Sequence, residues 1–187
     1  MTGQERSRRD DEDEIRRVVL TYCRAVDRCD AELLRTVYHD GAVDDHGDGF
    51  RGPVEEYIPW VMSVLRQRFS VTMHTVPNVL IEVDGDSARV ESYLVAYHVA
   101  AHAVKDAIDD VVADEVATDG RGPVLRILGG RYVDRFEWRP GVGWRIAHRV
   151  VVAEWHAEHH DVLLGLPAGM PAGARDRTDQ IYAGGKP

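Results

Sequence analysis

The hydrophobic period of this chain changes once, near residue 70, and that change limits the folds open to it. Before it, apolar residues recur at helical spacing; after it they alternate. In residues 14–26, Ile15, Val18, Val19, Tyr22, Cys23 and Val26 share one arc at about 100° per residue, with Asp27 at its margin. Asp30 reads as the N-cap of a second helix over residues 31–38, with Leu33, Leu34 and Val37 facing inward. A short strand is predicted at 42–45. Gly52-Pro53 then opens a third helix carrying Val54, Tyr57, Ile58, Val61 and Leu65, which Pro59 should kink or divide.

From Val71 the pattern is β. Residues 79–83 end at Asp84-Gly85-Asp86, a hairpin turn. Residues 88–98 alternate, with Ala88, Val90, Ser92, Leu94, Ala96 and His98 on one face. Residues 105–123 read as a long loop, mobile or acting as a lid. Strands over 124–138 and 144–155 pair across 139–143. Helices first and a meander of long strands afterwards predict an α+β domain, helices packed on one face of a curved, mostly antiparallel sheet.

At 187 residues one core is the default. Residues 1–12, basic then acidic, read as a solvated, partly disordered arm without the apolar stretch of a secretory signal. Residues 13–156 form the domain and 157–187 an irregular tail rich in Gly, Ala and Pro. The net charge of −9 argues against a nucleic-acid partner, and no run approaches membrane-spanning length. Cys23 and Cys29, six apart on a helix, point to different faces, so a disulfide is not expected and a reducing, cytoplasmic setting is. Neither their spacing nor the tail's His156, His159 and His160 supports a metal site.

Three residues carry chemistry. Asp27 lies where the chain leaves the first helix, His74 at the start of the β region, and Arg149 at the far end of the last hairpin. A carboxylate, an imidazole and a guanidinium suit proton transfer if the fold brings them together. Neutral imidazole is a base near working pH, a carboxylate on its other nitrogen fixes the tautomer, and guanidinium keeps its charge beside a developing anion.

The ordered segments AVDRCDAELL, GAVDDHGDGFRGP, MHTVPNVLIEVDGDSARVES and GGRYVDRFEWRPGVGWRIAHR resemble the SnoaL-like branch of the nuclear transport factor 2-like superfamily. The resemblance covers roughly residues 14–155. It is strongest to the scytalone dehydratase, bile-acid dehydratase and hexachlorocyclohexane dehydrochlorinase group. It implies a cone-shaped α+β barrel, elimination chemistry without a cofactor on a hydrophobic small molecule, and a homo-oligomer, trimer favoured over dimer. It also implies roles: His74 as general base, Asp27 as its orienting carboxylate, Arg149 at the leaving anion. His98 falls at a second cavity histidine, and Tyr22 and Tyr132 at cavity-lining positions. Val26 and an acidic residue near Asp45 stand where scytalone dehydratase has tyrosines, and Arg131 where it has a small polar residue.

Competing readings stand beside these. Asp27 could cap the following turn, although a carboxylate there opposes the helix dipole. His74 could be a strand histidine satisfied by a carbonyl, Arg149 a rim ion pair, and His98 a core residue. Asp45 and His46, with Asp44, form either a cavity mouth or a solvated loop, and Trp60 and Trp155 read as packing aromatics. The preferred reading is a cofactor-independent lyase or isomerase acting on an oxygenated polycycle such as a polyketide, steroid or terpenoid. The alternatives are a non-catalytic ligand-binding module and a structural subunit resembling the dioxygenase β subunit. Epoxide hydrolysis is a weaker third.

Overall fold

The computed structural model describes residues 7–100, 123–160 and 165–183. The predicted loop at 105–123 therefore falls almost wholly outside the described residues. Three helices and seven strands follow one another as α1 (Arg8–Asp27), α2 (Ala31–Arg35), β1 (Tyr38–Asp45), β2 (Arg51–Pro53), α3 (Val54–Arg68), β3 (Phe69–Thr75), β4 (Val79–Asp84), β5 (Ser87–Ala100), β6 (Val124–Arg139) and β7 (Gly143–His159). A single 3₁₀ turn, Gln180–Tyr182, closes the described tail.

The strands make one sheet in the order β2-β1-β7-β6-β5-β3, with β4 also paired to β5. Every pairing is antiparallel except β1 with β7. β5 is long enough to hold β4 along its first half and β3 along its second. Two bulges shift the β6–β7 register, at Gly129/Gly130 and at Arg135/Phe136, and such bulges bend a strand and raise its twist. The concave face receives α1 and α3, and the core sits between: Ile15, Val19, Tyr57, Ile58, Val90, Phe136, Trp144 and Ile146 are all buried. The architecture is the α+β arrangement the period change predicts.

α1 is longer than its apolar stripe. Ser7 caps it, its hydroxyl accepting the Asp10 N–H, and Asp10 and Asp11 in the first turn suit the helix dipole. Asp11 also accepts the Trp144 indole N–H at 2.7 Å. Residues 8–12, expected in a disordered arm, are therefore helical, because their charges find partners at i+4 and across the core. α2 has Asp30 as its N-cap, as predicted, but ends at Arg35. The Val37 carbonyl instead accepts the Ile146 N–H, which leads the chain into the parallel β1–β7 pairing. Pro59 lies within α3 without dividing it. β7 runs to His159, past the predicted end at 155, and Trp155 is half exposed, its indole lying across Gly129. Among the described residues no helix is long and apolar enough to cross a membrane.

Candidate active site

Asp27 is the last residue of α1 and His74 lies on β3, at the edge of the sheet. An edge strand leaves one row of N–H groups without a ladder partner. At His74 that donor is taken by Asp27, whose Oδ2 accepts the backbone N–H at 2.9 Å. The other carboxylate oxygen, Oδ1, lies 2.7 Å from the ring Nδ1 of the same residue. One carboxylate thus holds both the backbone and the imidazole of His74. With Nδ1–H donating to Asp27, Nε2 carries the free lone pair, the form a general base requires. Both side chains are about nine-tenths buried, 11% and 10% exposed.

His98 faces the dyad from β5. Its ring stands perpendicular to that of His74, centroids 5.2 Å apart, and Phe69 lies 4.8 Å away on the other side. Burial, reinforced by His74, Arg175 and Arg126, brings the His98 pKa down to about 3. It is neutral at any working pH and offers one N–H and one lone pair.

About one and a half helical turns back along α1 from Asp27, Tyr22 reaches a second polar cluster. Here Arg149 is fully buried. Its Nε and Nη2 donate to the two oxygens of Asp134 at 2.8 and 2.7 Å, and its guanidinium lies 4.0 Å from the ring centroids of both Tyr22 and Tyr132. The carboxylate and the two aromatic faces hold Arg149 charged. Asp44, its cross-strand neighbour on β1, accepts the Tyr38 hydroxyl and lies 2.8 Å from His46 Nε2. Tyr22 and Tyr57 share a hydrogen bond of 2.7 Å. Burial pushes the phenols of Tyr22, Tyr38, Tyr57 and Tyr132 up, so all four stay protonated. Arg149 Nη1 and the hydroxyls of Thr72 and Ser92 are buried without a hydrogen-bond partner among the described residues.

Residues 7–150 match the SnoaL-like domain family. The chain belongs to the SnoaL-like family. No curated protein matches it. Among solved structures it is similar to a candidate scytalone dehydratase from Novosphingobium aromaticivorans, at 19% identity and TM-score 0.60, covering 86% of this chain and 95% of that one. A hexachlorocyclohexane dehydrochlorinase of type 2 gives 17% identity and TM-score 0.64 over 85% and 95%. A nuclear transport factor 2-like superfamily protein from Salmonella enterica gives 17% and 0.59 over 88% and 100%. At these identities the likeness shows the fold alone, the helix-on-curved-sheet cone.

Within this SnoaL-like cone the residues singled out from the sequence fall into two groups. Asp27, His74 and His98 form one; Tyr22, Tyr132 and Arg149 form the other, which His46 joins through Asp44 while stacking on Tyr57 at 5.3 Å. Asp45 joins neither. Strand alternation turns it from the face of Asp44, and its carboxylate accepts the Arg51 Nε–H and the Gly47 N–H, closing the β1–β2 turn. Among the described residues, surface clefts of about 240, 280 and 570 Å³ are lined by neither dyad residue. Among the described residues no group of three His, Cys, Asp or Glu side chains could hold a metal. Sequence reasoning missed Asp134, although it alternates with Tyr132 and Phe136 along β6 and so shares their inward face. It also missed Arg175, which reaches Cys29 and Phe69 beside the dyad from an aperiodic tail and leaves no periodic signal.

Proposed function

We propose that this chain is a cofactor-independent lyase or isomerase in which the Asp27–His74 dyad is the base. The observation that carries the reading is the double grip of Asp27 on His74, ring and backbone together, in a nearly dry interior. The names of two structural neighbours, a candidate dehydratase and a dehydrochlorinase, support elimination as the reaction class. In that reaction His74 Nε2 takes a proton from the carbon next to an activating carbonyl or ring. The C–H electron pair becomes the new C=C π bond, and the leaving group departs with the electrons of its own bond. If it departs as hydroxide, the proton on His74 completes the water. Asp27 stabilises the imidazolium while it lasts. His98, neutral, donates to a substrate oxygen, and Arg149 Nη1, the guanidinium nitrogen that Asp134 does not engage, meets the anion that forms. Isomerisation uses the same base and returns the proton to a different carbon. The buried apolar side chains and phenolic hydroxyls, among them Val26, Tyr22 and Tyr132, suit a hydrophobic, oxygenated polycycle.

The test is turnover on a panel of hydroxylated polycyclic ketones, followed by mass spectrometry for loss of water or double-bond migration. Asp27→Asn should lower the rate by about 10²–10⁴-fold with little change in the melting temperature. Equal losses of rate and stability would make Asp27 a structural carboxylate.

A further inference from the structure

The turn that follows Asp27 is an unusual piece of backbone. Cys29 has φ +49°, the left-handed conformation that side-chain-bearing residues resist. The end of α1 closes that turn itself: the Cys29 N–H donates to the Val26 carbonyl at 3.2 Å and the Asp30 N–H to the Ala25 carbonyl at 2.8 Å. Side chains from elsewhere then fix where the turn sits. Arg66 of α3 donates to the Cys29 carbonyl at 2.8 Å. Further side-chain anchors come from residues 174–182, some 150 positions further along the chain. Arg28 donates to the Ala174 carbonyl at 2.7 Å and pairs with Asp179. Asp30 accepts the Tyr182 hydroxyl at 2.7 Å and pairs with Arg177. Arg175 makes the most informative contacts. Its Nη2 lies 3.2 Å from the Cys29 sulfur, two residues after Asp27, and its Nη1 donates to the carbonyl of Phe69, the first residue of the strand that carries His74. A single guanidinium therefore bridges the two elements that supply the dyad.

We propose that residues 174–182 are a clamp that positions Asp27 against His74, with Arg175 as the positioning residue. This inference rests on the dyad reading above. β3 is an edge strand, held to the sheet from one side only, and α1 ends at Asp27. Without a bridge, the 2.7 Å and 2.9 Å contacts would rest on the direct packing of α1 against β3 alone. Among the described residues, the ionisable groups in contact with the imidazole are Asp27 on α1 and His98 on β5, with Arg126 of β6 directly across from His98.

The experiment uses the full-length chain and a charge-conserving pair, Arg175→Lys with Tyr182→Phe, so that the field on the dyad is kept while the bridge is lost. The first readout is hydrogen exchange at the His74 amide, whose acceptor is the Asp27 carboxylate. The second is the NMR signal of the His74 Nδ1 proton, which the Asp27 carboxylate holds. The clamp predicts that the His74 amide exchanges about tenfold faster, while amides in the β5–β6 centre, such as Tyr132, are unchanged. It also predicts that the Nδ1 proton signal weakens through faster exchange with water, because a loosened Asp27 holds that proton less. Unchanged exchange and an unchanged Nδ1 signal, or a uniform acceleration across the sheet, would reduce the tail to a stability element and overturn the proposal. Asp27→Asn is the control. If that variant leaves the Nδ1 signal as it was, the dyad reading fails and the clamp with it. If it weakens that signal and the tail pair does not, the clamp alone fails.

Discussion

Arg149 illustrates how a buried charge recruits its surroundings. A guanidinium with no exposed surface is tolerable only when its charge is matched and its donors are occupied. Asp134 matches the charge and takes a donor from Nε and one from Nη2, and the faces of Tyr22 and Tyr132 close the sandwich. Reading the sequence, Arg149 is a cation waiting for an anionic leaving group. In the fold its charge is already matched by Asp134, and Nη1 is the nitrogen left without a partner among the described residues. This has a measurable consequence. Asp134→Ala leaves the guanidinium buried and unmatched and should cost about 3–5 kcal/mol in urea unfolding. Replacing both partners with apolar residues, Asp134→Leu with Arg149→Met, should recover most of that loss. A single-variant cost below about 1 kcal/mol would mean that water reaches the site and that the pair is not the anchor of the inner cluster.

At the scale of elements, period and capping were legible and pairing was not. The stripe of α1, the Asp30 cap, the Asp84-Gly85-Asp86 turn and the alternation of β5 all stand in the fold where the residues predict them. The parallel pairing of β1 with β7 joins segments about a hundred residues apart, and nothing local announces it. Likewise the Asp27–His74 contact could be anticipated as a juxtaposition, while the backbone half of the grip depends on His74 lying at a sheet edge, a fact of topology. The neighbouring glycines of β6 show the same limit. A Cβ on Gly129 would meet the Trp155 indole, a half-exposed side chain that can swing away; a Cβ on Gly130 would clash with the Val152 carbonyl oxygen, in the backbone of the paired strand. Gly130→Ala should therefore destabilise by about 1–3 kcal/mol, and Gly129→Ala by clearly less, as thermal melts of the two variants would show. Equal costs would mean that Trp155 is as fixed as the strand behind it.

Across the whole molecule, a histidine kept neutral by burial makes stability depend on pH, and the sign follows from proton counting. The His98 pKa is about 3 in the folded chain, against 6.5 as its ordinary value. Above pH 6.5 both states are neutral and His98 contributes no pH dependence. Between 6.5 and 3 the unfolded chain binds a proton that the folded chain refuses, so stability falls as pH falls, with a slope of at most about 1.4 kcal/mol per unit. Below 3 both states are protonated and the loss stops growing. His39 shifts in the same direction, also by burial, and Glu137, held low by Arg139, loses its contribution only once carboxylates begin to protonate. Burial pushes the Asp134 carboxyl up from its ordinary value, so in the window from about pH 6.5 to 4.5 a substitution is what isolates His98. The stability difference between the wild type and His98→Gln, measured by denaturant unfolding at several pH values in that window, should slope steadily, the wild type losing ground as acid is added. A flat difference would mean that His98 titrates at its ordinary value. The cone would then be open to water at the His98 side of the dyad, and a neutral donor could not be assumed there during turnover.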